Sequence, residues 1–168
     1  MDDRGGRAEG DVLVVDGAVA TPIRLRYEDL AAIGAEDQIA DVSRLHPGRE
    51  GDAVDLRVLL RLARPTPEAS HLTLHAGRDD FHVSIPLAEI AERGMVVYRR
   101  DGRRLGADEG GPVRFLIRDP ASCHSAALDD CANVKYLDRI ELSAGPGRDT
   151  RPEDDEAHRA LHDRQAHP

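Results

Sequence analysis

No apolar run in this chain exceeds about five residues before a glycine, proline or charged residue interrupts it. A membrane-crossing helix needs about 20 consecutive apolar residues, so none is expected. What remains is a set of short strands with a few short helices inserted among them. The expected class is α+β, with mixed or mostly antiparallel sheets, because nothing alternates regularly enough for a series of parallel βαβ units.

Residues 12–15 read as a strand, Asp16-Gly17 as a turn, and the next strand is kept at an edge by Pro22. In RYEDLAAIGAEDQ, Leu30 and Ile33 share one face of a short helix closed by Gly34, and QIADVSRL then reads as a strand. After the polar turn HPGREGD, Leu56, Leu59, Leu60 and Ala63 carry helical spacing, and Pro65 stops that helix. SHLTLHAG and the run FHVSIPL alternate as partner strands, and LAEIAERG is a short helix ended by Gly94. Asp101-Gly102 turns a hairpin, and VRFLI and KYLDRIEL are the last strands. These pieces predict one globular domain at residues 11–143, after a flexible arm at 1–10. The acidic stretch 144–168 has almost no apolar residue besides Leu161, which predicts a disordered tail.

Charge narrows the function classes. Charged residues make up 33% of the chain, the formal charge is −9 and the pI is about 5.3. Such a surface repels nucleic-acid phosphates and anionic lipid, so neither nucleic acid nor membrane is expected as a partner. Aromatic residues are only 3% and tryptophan is absent, which leaves little to stack bases or sugars on. No basic stretch followed by an apolar one opens the chain, and the expected location is the cytoplasm. The sequence leaves the oligomeric state open.

The unusual chemistry gathers in EGGPVRFLIRDPASCHSAALDDCANVKYLDRIEL. GADEGGPVRF has the spacing of neither a P-loop nor a dinucleotide fingerprint, and it enters a strand rather than a helix. Its glycines imply a backbone drawn close to a neighbour. Cys123, His124 and Cys131, with Asp129 and Asp130, offer zinc donors from one loop, whereas zinc usually takes two closely spaced pairs. A free or redox-active thiol pair, a short-loop disulfide and a metal site are the open alternatives, with zinc the least favoured. His71 and His75 share a strand face, with His82 on the next strand, and their default reading is solvated or hydrogen-bonded side chains. No Ser-His-Asp triad can be placed.

Taken in order, VDGAVATPIRLRYEDLAAI, VDLRVLLRLA, LTLHAGRDDFHVSIPL, GRRLGADEGGPVRFLI and NVKYLDRIEL resemble the molybdopterin-binding domain of the sulfite-oxidase-like oxidoreductases. The resemblance spans residues 12–142. It implies that family's fold, a molybdopterin or molybdenum cofactor, two-electron oxygen-atom transfer and an electron-transfer partner. Gly110-Gly111-Pro112 and Arg114 match the family's "G.PlR" segment, Lys135 matches its closing lysine, and Arg78, Asp79 and Phe81 match the polar edge near "DGy". Arg78, Asp79, Gly111, Arg114 and Lys135 are therefore the cofactor-binding residues that the resemblance implies. The family's metal-ligating cysteine aligns with Asp41, so the expectation is a member that has lost this thiolate, with Cys123 and Cys131 as candidate replacement ligands. The alternative is a non-catalytic module of the same fold. It docks a partner protein or small anion and carries a redox-sensitive or metal-binding Cys123/Cys131 loop.

Overall fold

Alternation in the sequence becomes pairing in the structure, a computed structural model in which residues 10–119 and 133–151 are described. Along them run β1 (Asp11–Gly17), β2 (Ile23–Arg26), α1 (Tyr27–Ala31), β3 (Gln38–Ile39), β4 (Asp52–Asp55) and α2 (Leu56–Ala63). There follow β5 (His71–Ala76), β6 (Phe81–Pro86), α3 (Leu87–Ile90), β7 (Gly94–Arg100), β8 (Arg103–Arg104), β9 (Arg114–Ile117) and β10 (Arg139–Ser143). One sheet has the order β2-β1-β10-β5-β6, and the other has β3-β4-β7-β8, with β9 also paired to β7. Only β1 and β10 run parallel; every other pair among these strands is antiparallel. The fold is α+β with mixed, mostly antiparallel sheets.

The main core lies where the two sheets and α2 meet. Leu13, Val15, Leu72, Leu74, Val83, Ile85, Ile140 and Leu142 come from one sheet, and Val54, Val96, Phe115 and Ile117 from the other. Leu56 and Leu59 of α2 join them. The second sheet is covered on its other face too, by a smaller cluster of Val42, Ala53, Met95, Val97, Leu105 and Leu116. Strand β7 therefore reads as the unbroken apolar run MVVY rather than as an alternation.

Helix α2 forms where the spacing predicts. Asp55 caps it by accepting from the Arg57 N–H at 2.9 Å, and Arg64 closes it in the left-handed region at φ 58°. Other expectations change. QIADVSRL is a strand only over Gln38–Ile39, because the Asp41 carboxylate caps a 3-10 turn over Val42–Arg44 and draws the backbone out of the ladder. Helix α1 ends before Gly34, and the polar turn before α2 is present, but residues 53–55, read as the start of the helical stretch, belong to the strand β4 (Asp52–Asp55). Residues 135–137 do not extend β10, since Tyr136 turns the chain at φ 57°.

The described chain also runs on past residue 143, where the tail was expected to begin. Residues 144–151 form a strap across the first sheet and along the edge strand β6. The Gly145 N–H donates to Ser70 Oγ, and the Gly147 N–H donates to Ser84 Oγ, both at 2.8 Å. The Thr150 N–H donates to the His82 carbonyl at 2.8 Å, while the His82 N–H donates to Thr150 Oγ1 at 2.9 Å. Main-chain and short polar contacts hold this strap, not apolar burial, which is why its composition gave no sign of order. Among the described residues no helix is long and apolar enough to cross a membrane.

Candidate functional site

Strand β9 and the turn before it bring the predicted site residues together. A 3-10 turn over Ala107–Glu109 ends at Gly110, in the left-handed region at φ 86°. A Cβ on Gly110 would lie 3.1 Å from Lys135 Cγ and 3.6 Å from Arg114 Nη1, so this glycine lets both cations approach the turn. A Cβ on Gly111 would run into the Leu105 backbone. The turn is thus as close to its neighbours as the glycine pair implies, and the Gly111-Pro112 peptide is cis.

The connection into β10 closes the same neighbourhood. Val134 makes an isolated bridge with Phe115, the Tyr136 N–H donates to the Gly110 carbonyl at 2.8 Å, and the Leu137 N–H donates to the Val113 carbonyl at 2.9 Å. These bonds hold Lys135, which is exposed, over the glycine turn. Arg78 reaches in from the 3-10 turn between β5 and β6, its guanidinium carbon 4.1 Å from the centre of the Tyr136 ring. Asp79 sits beside it in the same turn, exposed.

Arg114 is the electrostatic centre. Its Nη1–H donates to the Glu109 carbonyl at 3.3 Å, and its Nε is buried with no hydrogen-bond partner among the described residues. Burial, reinforced by the nearby Arg49 cation, pulls the guanidinium down to about 10. It stays protonated at neutral pH. Arg114 therefore carries a positive charge, partly out of water, with no carboxylate against it among the described residues. Arg49, Arg78, Arg114 and Lys135 form a cationic patch on a chain whose formal charge is −9. Such a patch suits an anion with several oxygens, which an Arg fork and a Lys point charge recognise in different ways.

Glu109 is adjacent but turned away from this role. It accepts from Arg103 at 2.8 Å, from the Gly106 N–H at 3.0 Å and from Arg100 at 3.1 Å. Arg103 chiefly, then the Gly106 amide, hold its carboxyl down at about 2.

Asp41, aligned with the family's metal-ligating position, is exposed and bonded locally. Its Oδ1 accepts from Ser43 Oγ at 2.6 Å and from the Ser43 N–H at 3.0 Å, and the hydroxyl bond first, then the amide, lowers its pKa. None of its described bonds reaches Arg114 or Lys135. Cys123, His124 and Cys131, with Asp129 and Asp130, lie outside the described residues. Among the described residues there is no group of three or more His, Cys, Asp or Glu side chains able to hold a metal.

Of the five predicted cofactor-binding residues, Arg78, Gly111, Arg114 and Lys135 meet around the glycine turn. Sequence reasoning missed Arg49 and Tyr136. Tyr136 directly follows Lys135, and its aromatic ring was the available signal; Arg49 stands in a polar turn that carried none.

Comparison with known proteins gives the family and the fold. A family model described as the oxidoreductase molybdopterin-binding domain matches residues 52–150. That match includes the glycine turn, Arg114, Lys135 and Arg78. The fold is similar to the crystal structure of the sulfane dehydrogenase SoxCD from Paracoccus pantotrophus, with a TM-score of 0.59 and 19% sequence identity. The similarity covers 80% of this chain but only 38% of that one. No curated protein matches by sequence.

Proposed function

This chain belongs to the oxidoreductase molybdopterin-binding domain family, and from that premise we propose that Arg114 and Lys135 hold the anionic, phosphate-bearing end of a molybdopterin cofactor. The observation that carries the proposal is the buried, unpartnered Nε of Arg114 beside a glycine turn. A buried cation without a counter-charge costs stability, and a bound anion removes that cost. Arg114 offers a forked donor and Lys135 a mobile point charge. Gly110 and Gly111 let a ligand approach the backbone, and the Arg78–Tyr136 stack forms a rim. When bound, such a cofactor supplies a metal centre for two-electron oxygen-atom transfer, which requires an electron-accepting partner.

The Asp41 position favours a second reading. Its carboxylate is engaged by Ser43, and it is a hard oxygen donor where the family resemblance leads one to expect a soft thiolate. In this reading the domain binds its anion, or a partner protein, as a non-catalytic scaffold, and Cys123 and Cys131 serve as a redox-sensitive loop rather than as metal ligands.

Molybdenum content and oxidatively released pterin, measured on chain purified from a host that makes the cofactor, test the first reading. Near-stoichiometric molybdenum and pterin in the parent, both lost in Arg114→Ala, support it. Retention in Arg114→Ala, or absence from the parent, overturns it. Loss of molybdenum but not pterin in a Cys123→Ser/Cys131→Ser variant would assign a thiol ligand to that loop; unchanged molybdenum would exclude one.

A further inference from the structure

Away from the glycine turn, the outer face of the first sheet carries a line of titratable groups. His75 on β5 lies directly opposite His82 on β6, and their Nδ1 atoms are 2.6 Å apart. The main-chain N–H and C=O of His82 point to the free edge, where Thr150 bonds them. The two histidines therefore form a non-hydrogen-bonded cross-strand pair, the closer of the two antiparallel spacings, which brings the rings into contact. On the far sides, His75 Nε2 is 2.9 Å from Glu141 Oε1 on β10, and His82 Nε2 is 2.9 Å from Asp80 Oδ1. Both rings are largely enclosed, with side-chain exposures of 12% and 10%.

Proton counting restricts this chain of contacts. A carboxylate only accepts, so making all three contacts hydrogen bonds takes a proton on each outer nitrogen and one more between the two Nδ1 atoms. That arrangement has three ring protons and a single positive charge. With two ring protons, either one outer nitrogen presents its lone pair to a carboxylate or the two Nδ1 lone pairs face each other. With four, two N–H groups confront each other at 2.6 Å, and the contact cannot survive.

Charged groups flank the pair on both sides. Arg139 of β10 lies beside Glu141 at 3.4 Å and also bonds Asp16 of β1, and Arg148 of the strap meets Asp80 at 3.2 Å. His71, on the same face of β5, bonds Ser70 Oγ. The strap is fastened next to the pair: Thr150 holds the His82 main chain, Asp149 Oδ2 accepts from the Ser84 N–H at 3.2 Å, and Arg151 donates to the Ser84 carbonyl at 3.2 Å.

We propose that the His75–His82 pair is a proton-sensitive latch: uptake of a fourth ring proton parts the two rings, displaces β6 at His82 and releases strap residues 147–151 from that edge. Supporting groups have the right signs. Burial pushes His75 below its ordinary value against the raising pull of Glu141, so the added proton is resisted in the folded chain. The Asp80 carboxyl is held below its usual range by its bond from His82 and then by Arg148. Burial alone would raise Asp149, but its bonds from Arg151 bring it below the usual range. Asp80 and Asp149 therefore stay charged through mild acid and hold their partners while the histidine pair takes up its proton. A histidine with a lowered folded pKa contributes stability that is lost as pH falls below about 6.5 and through the folded value.

Amide hydrogen exchange on the full chain, corrected for intrinsic chemistry, tests this. From about pH 6.5 to about pH 5, protection of the His82, Ser84 and Thr150 amides should fall about tenfold or more, while the Val83 amide, on the β5 side, keeps its protection. In His75→Gln and His82→Gln the fall should disappear, and Thr150→Val should show the released pattern already at about pH 7. The latch is overturned by strap protection that is constant with pH, by a fall that persists in both glutamine variants, or by a parallel loss at Val83, which would signal general unfolding.

Discussion

Arg78, in the turn between β5 and β6, covers the ring of Tyr136, in the connection that enters β10, at 4.1 Å. One cation thereby ties a turn of the first sheet to the wall of the glycine turn. An exposed cation–π contact contributes about 0.5–1 kcal/mol, so Arg78→Ala should lower the melting temperature of the empty chain by about 2–4 °C. Lysine keeps the charge and part of the stack, and Arg78→Lys should recover about half of that loss in a thermal scan.

Arg114 gives an opposite expectation. Replacing its guanidinium, which has no carboxylate against it among the described residues, with an apolar chain of similar reach, Arg114→Met, removes a partly buried charge and should leave the empty chain as stable or raise its stability by about 1 kcal/mol. The same variant should lose stabilisation by millimolar inorganic phosphate, the probe ion here. Parallel melts with and without phosphate check both halves; a destabilised variant that still responds to phosphate would place the anion elsewhere.

Gly111→Ala forces a methyl group into the Leu105 main chain, which cannot rotate out of the way. The expected cost is about 2–3 kcal/mol or more in denaturant unfolding. Gly48 supplies the comparison: it has φ 86° but nothing within 4 Å of its would-be Cβ, so Gly48→Ala should cost only the backbone strain of about 1–2 kcal/mol.

Glu109 governs the acid limb. Its folded pKa of about 2 lies below the value of an unfolded glutamate, so its contribution is present above about pH 4.3 and is lost as pH falls towards 2. Melting temperature plotted against pH should drop across that window. Glu109→Gln should flatten the drop and leave the profile above about pH 6 parallel to the parent's.

A chain ended after Ser143 leaves the edge groups of His82 and Ser84 without the partners that Thr150, Asp149 and Arg151 provide. At about 0.5–1.5 kcal/mol for each hydrogen bond, it should melt several degrees below a chain ended after Arg151. Equal melting temperatures would mean that the strap adds no stability.

How far the sequence discloses this molecule depends on the range of the interactions concerned. Strands β5 and β6 and helix α2 were legible because apolar spacing alone determines which face is buried. That Arg114, Lys135 and the glycine pair adjoin was legible through the order and spacing of their segments along the chain. QIADVSRL misled because its apolar spacing suits a strand, while the Asp41 and Ser43 side chains bond the backbone locally and win. The strap was hidden because main-chain hydrogen bonds to an edge leave no hydrophobic pattern. The His75–His82 contact depends on cross-strand register, and Arg49 beside Arg114 on the path of a polar turn; neither is written in local composition.

The parallel pairing of β1 with β10 has a consequence for biosynthesis. Strand β1 leaves the ribosome well before β10, and until β10 follows it has only β2 as a sheet neighbour among the described strands. The central seam of that sheet joins segments from opposite ends of the domain, so it closes only after nearly the whole domain has been made. With its stabilising contacts so distant along the chain, the domain should fold slowly for its size, and the nascent chain must keep the apolar face of β1 shielded during the wait.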